Sequence, residues 1–314
     1  VAHGVTVVCD DLARTVNPQP RTGPVRLAVL GDSTAVGLGD PLPGGGWRGV
    51  GPLVARALGV EPAGYLNCSF TGARMRCVRT EQLPAAVAHR PDAALVIVGM
   101  NDTLRSDFDP AGIAADLDHV LTTLRTAGAV PVPVRYHDHG RVFRLPGSLH
   151  RALRGRIEQL NAAIDGVVAR HGVPCVDLGQ VPGAYELTAW SVDRLHPSEL
   201  GHRLLAREFA DLLRAEGFGV PAPVSLACSG GAQVGAAGHV GWLVVKGIPW
   251  LWRRGRDLVP HAASIMLRSA TRRAAGWAGW TGAGRPAADA SPVRPGAEQH
   301  GVAAQAELPA AASL

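Results

Sequence analysis

Two rhythms of apolar and polar positions alternate along this chain. Short, unbroken apolar runs close on glycine: residues 25–30 (VRLAVL) stop at Gly31, and residues 95–98, inside AALVIVG, stop at Gly99. Runs this short with no polar face predict strands buried on both sides. Three further strands are expected at 64–67, 130–134 and 173–178, although Pro131 and Pro133 stand inside the fourth, where a paired strand normally excludes proline. Between these runs the apolar residues recur at helical spacing, over 47–58, 111–126, 149–170 and 198–214. In the second of these, Pro110 opens the helix, Ile113, Leu117, Val120, Leu121 and Leu124 share one stripe, and Gly128 follows the end. Ser198 is placed to cap the last helix. Strands alternating with amphipathic helices predict βα units around a parallel five-stranded sheet, an α/β fold with helices on both faces in a three-layer α/β/α sandwich.

The rhythm is confined to residues 25–215, which defines the expected catalytic-sized domain. Residues 1–24 form a lead-in ending in NPQPRTGP, residues 216–280 form a basic, Trp-containing extension that begins rich in Gly, Ala and Pro, and residues 281–314 read as a disordered low-complexity tail. No stretch approaches 18 uninterrupted apolar residues, so no membrane-spanning helix is expected. The longest apolar-rich candidate, around 240–252, carries Lys246 and ends at Arg253-Arg254.

Composition adds little until charge is divided between the parts. The 314 residues are 46% hydrophobic and 18% charged, which excludes wholesale disorder. The net charge of +5 is uneven: 22 basic against 21 acidic residues up to Ala215, and 9 against 5 afterwards. A neutral body argues against nucleic acid as a partner, while the tail is left to meet an anionic surface. Within 241–273, Lys246 and six arginines face one acid, Asp257, and are accompanied by Trp242, Trp250 and Trp252. That composition suits peripheral membrane contact. Packing on the body with the arginines toward water is the alternative, and Pro249 and Pro260 break any long helix; both readings stay open. The N-terminal VAHGVTVVCDDLART lacks a basic stretch followed by an apolar run, so no signal peptide is read there. The expected location is cytoplasmic or peripheral to a membrane, with secretion left open. Five cysteines match neither a metal pattern nor an even disulfide framework. Cys68 and Cys77 can pair only in an oxidising compartment, and buried free thiols are expected.

Three blocks could carry chemistry, and each follows a predicted strand. GDSTAVG (31–37) puts Ser33 at the carboxyl edge of the sheet, where open α/β folds place their sites. A serine hydroxyl is a weak nucleophile unless a base takes its proton, and Asp32 and Ser33 could equally cap a turn. VGMNDT (98–103) puts Asn101 on the same edge, an amide donor suited to a developing oxyanion or to ordinary turn chemistry. DRLHPSELGH (193–202) sets Asp193 three residues before His196, so one loop can let the carboxylate fix the imidazole tautomer that accepts a serine proton. Pro197 stiffens the next position.

Taken together and in order, these blocks resemble the SGNH hydrolases, the GDSL-type lipase/esterase family: GDS at 31–33, a glycine within NCSFTGA at Gly72, GxND at 99–102 and DxxHP at 193–197. The resemblance spans roughly residues 25–214. It implies a flavodoxin-like sandwich with Ser33 as nucleophile, His196 as general base, Asp193 orienting it, and an oxyanion hole formed by the Ser33 and Gly72 N–H groups and the Asn101 side chain. It implies no metal and no organic cofactor. Thr34 replaces the usual leucine after GDS, and Arg74 and Arg76 crowd the Gly72 block, either to recognise an anionic substrate group or to line a solvated loop.

Rival readings are weaker in context. Ala227-Cys228-Ser229-Gly230-Gly231 has the AxSxG form of a nucleophile elbow, but no good helix follows. His137-Asp138-His139 invites a metal reading, yet with no third ligand it is expected to be a polar loop near the cleft mouth. The glycines 44–46 lack the GKS/T ending of a P-loop. The expected activity is serine hydrolysis of a small-molecule or lipid acyl ester. Acyl transfer through the same residues, or a non-catalytic binding module, are the alternatives.

Overall fold

The computed structural model describes residues 23–229 apart from Pro146. The lead-in up to residue 22, the basic segment 241–273 and the tail 281–314 lie outside the described residues. The five expected strands are β1 Leu27–Gly31, β2 Tyr65–Asn67, β3 Ala93–Ile97, β4 Val130–Arg135 and β5 Val176–Asp177. All pair in parallel, in the order β2-β1-β3-β4-β5, which is the flavodoxin-like order. Every residue of β1 and β3 is buried, as sheets covered on both faces require.

The covering layers come from helices that the apolar stripes predict in part. The helices are α1 Ser33–Val36, α2 Val50–Ala57, α3 Met75–Cys77, α4 Leu83–Ala88, α5 Met100–Thr103, α6 Pro110–Thr126, α7 His139–Phe143, α8 Gly147–His171 and α9 Glu199–Ala215. One group pairs α2 with α9, and another packs α6 against α4 and α8. In α6 the buried stripe is Ile113, Leu117, Val120, Leu121 and Leu124, the expected set. Each such side chain contributes roughly 1.5–3 kcal/mol on burial. Asp109 and Ser198 cap α6 and α9, accepting from Ala111 N and Gly201 N. None of the described helices is long and apolar enough to cross a membrane.

The two prolines of β4 are tolerated for a geometric reason. Val130 N–H donates to Asp92 O on the β3 side, so by alternation the nitrogens of residues 131 and 133 face the β5 side. There β5 pairs only with Val134 and Arg135, so no ladder bond is lost. Beyond α9 the chain stays on the body: Phe218 and Val224 are buried in the core, and Arg203 donates to the Ser225 carbonyl at 2.8 Å.

Candidate active site

The connection from β1 runs outward to β2, and β3 lies on the other flank of β1. Strand order therefore reverses between β1 and β3, and a crevice opens beyond their carboxyl ends. Ser33 follows β1 and Asn101 follows β3, so backbone topology alone delivers both to that crevice.

The serine is placed mainly by backbone. Gly31 has φ +151°, and a Cβ there would run into the Ile97 carbonyl oxygen, so only glycine lets β1 end this close to β3. The buried Gln82 amide grips this strand end twice: Gly31 N–H donates to Oε1 at 2.7 Å, and Nε2 donates to Gly31 O at 2.9 Å. Asp32 N–H donates to Ile97 O at 3.0 Å. Its buried carboxylate caps α1 by accepting from Thr34 N at 3.0 Å. Burial raises the Asp32 pKa to about 7, against the partial pull of the Thr34 N–H and His196.

Ser33 Oγ lies 2.8 Å from His196 Nε2, and His196 Nδ1 lies 2.6 Å from Asp193 Oδ2. Burial pushes the Asp193 pKa up, but the His196 hydrogen bond and charge and the Ser191 hydroxyl outweigh it, holding the pKa at about 2. An ionised carboxylate only accepts, so Nδ1 carries a proton, and in the neutral form of the imidazole the lone pair left on Nε2 faces the Ser33 hydroxyl. The remaining carboxylate oxygen, Oδ1, accepts from Ser191 Oγ at 2.6 Å, Leu195 N at 2.8 Å and His196 N at 3.0 Å. Three of the sequence-predicted residues are thus in one hydrogen-bonded line.

Asn101 donates one amide N–H to Ala73 O at 3.1 Å. Its Nδ2 is 3.5 Å from Asp32 Oδ2, a weak engagement that leaves the second N–H for a better acceptor. Ser33 opens α1, so its N–H has no intrahelical acceptor. Gly72 takes a left-handed conformation, φ +83°, one residue before Ala73. It lies outside the wall of the cavity that Ser33, Asn101 and His196 share. That cavity, about 80 Å³, is walled chiefly by apolar side chains, among them Ile97, Met100, Leu178, Val181, Trp190 and Leu204.

Several expectations need correction. His137 and His139, expected on a polar loop near the cleft mouth, do line the cavity, but both are buried, 3% and 1% exposed, and His139 opens α7. Their rings pack on Trp190, with centroids 5.0 and 4.8 Å away, and burial lowers the His137 pKa to about 4. Among the described residues, no group of three or more His, Cys, Asp or Glu side chains is placed to hold a metal. Arg76 is exposed, whereas Arg74 is half-buried. Arg74 is ion-paired to the buried Asp102 at 3.2 Å and to Asp107 at 2.9 Å. The Ser229 hydroxyl donates to Glu199 Oε1 at 2.8 Å and accepts from Arg48 at 3.0 Å, with no imidazole among its described hydrogen-bond partners. Cys68, Cys77 and Cys175 are free and half-buried, and Cys228 is free and exposed.

Sequence reading gave no role to Gln82 or to His202. The fully buried His202 donates Nε2–H to Leu38 O at 2.9 Å, pinning the loop after α1. In that loop a Cβ at Gly39 would strike the Pro197 carbonyl oxygen. The block containing His202 was visible in the sequence, but Gln82 left no signal.

Residues 29–204 match the model of the GDSL-like lipase/acylhydrolase family. No curated protein matches the chain in sequence. Solved structures with a similar fold include a lipase/acylhydrolase from Enterococcus faecalis, 23% identical, covering 62% of this chain and 96% of that one with a TM-score of 0.47. An acetylxylan esterase from Geobacillus stearothermophilus is 21% identical, covering 65% and 97% with a TM-score of 0.47. An α/β hydrolase from the metagenome of Lake Arreo is 20% identical, covering 61% and 96% with a TM-score of 0.48.

Proposed function

The chain belongs to the GDSL-like lipase/acylhydrolase family, and from that premise we propose that it hydrolyses carboxylic acyl esters through an acyl-Ser33 intermediate. The observation that carries this reading is the continuous line from Ser33 Oγ through His196 to the ionised Asp193, at 2.8 and 2.6 Å. His196 Nε2 takes the Ser33 proton as Oγ attacks the ester carbonyl. The carbonyl π electrons move to oxygen, and the resulting oxyanion is met by the Ser33 N–H and the second Asn101 N–H. Each such donor contributes about 3–4 kcal/mol in comparable acyl-transfer sites. Collapse expels the alcohol, which leaves with the proton from His196. Water then gives its proton to His196, attacks the acyl carbon, and frees the acid and Ser33. Asp193 stays ionised throughout and holds the Nδ1–H tautomer.

The cavity beside Ser33 fits an apolar acyl group, because its walls offer dispersion contact and few polar partners. The test is hydrolysis of p-nitrophenyl acetate, butyrate and longer esters, with and without a serine-directed fluorophosphonate. Turnover abolished by the fluorophosphonate is the expected result. Resistance of turnover to the inhibitor, or a requirement for an alcohol acceptor in place of water, would overturn hydrolysis as the reaction.

A further inference from the structure

Between Asp193 and His196 the chain makes a tight turn whose geometry is unusual. Arg194 has φ +53°, a left-handed conformation that costs a non-glycine residue about 1–2 kcal/mol and persists only where its surroundings hold it. Its N–H is tied to Ser191 O at 2.9 Å. The next peptide plane is clamped from both sides. The Arg194 carbonyl oxygen lies 2.9 Å from His139 Nε2, while the Leu195 N–H of the same peptide donates to Asp193 Oδ1 at 2.8 Å. A rotation of this peptide therefore takes a hydrogen bond from Asp193 and changes where its carboxylate meets His196.

The proton assignment along this clamp is forced. A carbonyl only accepts, so His139 Nε2 carries the hydrogen and donates it. The neutral ring then has a bare Nδ1, which accepts from His137 Nε2–H at 2.9 Å. Among the described residues His137 Nδ1 is left as a buried acceptor without a hydrogen-bond partner. Burial holds both rings neutral, lowering the pKa of His137 to about 4 and that of His139 well below the ordinary range. A buried polar atom without a partner costs stability. The pair is therefore poorly suited to stabilising the fold on its own account, and its polar output is the hydrogen bond to Arg194.

We propose that His139, which precedes Arg194 by 55 residues and stands outside the family blocks, is a positioning residue for the Asp193–His196 pair and acts through the Arg194–Leu195 peptide. The proposal rests on the role given above to that pair. Trp190 completes the support. Its indole packs on both imidazoles, its Nε1–H donates to Ala184 O at 2.9 Å, and its backbone bridges to Pro197 just after His196. His139 thus meets the acid–base loop from the cavity side, and Trp190 keeps the ring from turning away.

The test compares His139→Leu with His139→Gln, whose side-chain amide can supply a donor near the Nε2 position. Two readouts are used: the far-downfield proton resonance of His196 Nδ1–H, and kcat and KM for p-nitrophenyl butyrate. In His139→Leu the resonance is expected to shift or broaden and kcat to fall by about 10²-fold, with KM nearly unchanged; in His139→Gln both recover most of the way. His137→Phe, which removes the donor to His139 Nδ1, is expected to give a smaller loss of the same kind and keeps the question answerable if the leucine variant does not fold. Wild-type kcat and resonance in His139→Leu would overturn the proposal, as would a glutamine variant that is natively folded yet as impaired as leucine. If wild-type protein shows the resonance but cleaves no ester, the hydrolase reading fails while the resonance still reports on positioning.

Discussion

The two halves of the candidate site are held by different means. Ser33 stands at the end of a fully buried strand, where Gly31, the β1–β3 ladder and the Gln82 amide fix the backbone that carries it. Asp193 and His196 stand on a loop after a two-residue strand, and side-chain hydrogen bonds from Asp193, Ser191 and His139 hold that loop in shape. A serine on the sheet edge is built largely by fold topology. The Asp193–His196 pair is built by polar contacts that only the tertiary fold brings together. Substitutions on the first side should therefore register in stability, and those on the second side chiefly in rate.

The largest effect is expected from Asp193→Asn. The amide no longer enforces the Nδ1–H tautomer of His196, and kcat should fall by about 10⁴-fold, as in the serine-protease case, with near-native thermal stability. Because the Asp193 pKa lies at about 2, kcat/KM in the wild type should show no acid limb from this carboxylate above about pH 3. Steady-state kinetics across pH checks both statements.

Asn101→Ala comes next. If its weakly engaged second N–H serves the oxyanion as proposed, kcat should drop by about 10²–10³-fold while KM changes little. A change confined to KM would make Asn101 a substrate-binding group instead.

Acid titration of stability separates the two sides by sign. Asp32 has its pKa raised to about 7, so between about pH 4 and 7 the folded state keeps a proton that the unfolded state loses. Its contribution is therefore present at low pH and lost as pH rises. His137 has its pKa lowered to about 4, so between about pH 6.5 and 4 the unfolded state binds the extra proton, and its contribution is lost as pH falls. Each is worth on the order of 3 kcal/mol over its window. Urea midpoints measured against pH should show a smaller loss on acidification for His137→Phe than for wild type, and a larger loss for Asp32→Asn.

The smallest effect is a stability effect on the serine side. Gln82→Leu orphans the Gly31 N–H in a buried place, at a cost of about 1–3 kcal/mol. Thermal unfolding should record it as a lowered Tm, with kcat per folded molecule much less affected than in Asp193→Asn.

What the sequence made legible follows the same division. Apolar runs ending in glycine marked β1 and β3, and the capped stripe of α6 read correctly to its last buried leucine, because backbone and burial set those patterns. The stretch from Met75 to Ala88 carries no helical pattern legible in the sequence. There a π-helical turn, Val78–Gln82, displaces the apolar positions from the 3.6-residue period, Pro84 stands in the following helix, and the buried Gln82 looks polar. β5 is shorter than expected, with only Val176 and Asp177 pairing, because β4 offers it only Val134 and Arg135. His137 and His139 looked like loop residues because their partners, Trp190 and Arg194, lie more than 50 residues away and no local period announces them.

The central claim is that Ser33 becomes covalently acylated with His196 as its base. Intact-protein mass spectrometry after brief exposure to a fluorophosphonate, followed by peptide mapping, tests it most directly. A single adduct on Ser33 is expected, absent from Ser33→Ala and strongly slowed in His196→Ala. An adduct on Ser229, or labelling that persists in Ser33→Ala, would contradict it.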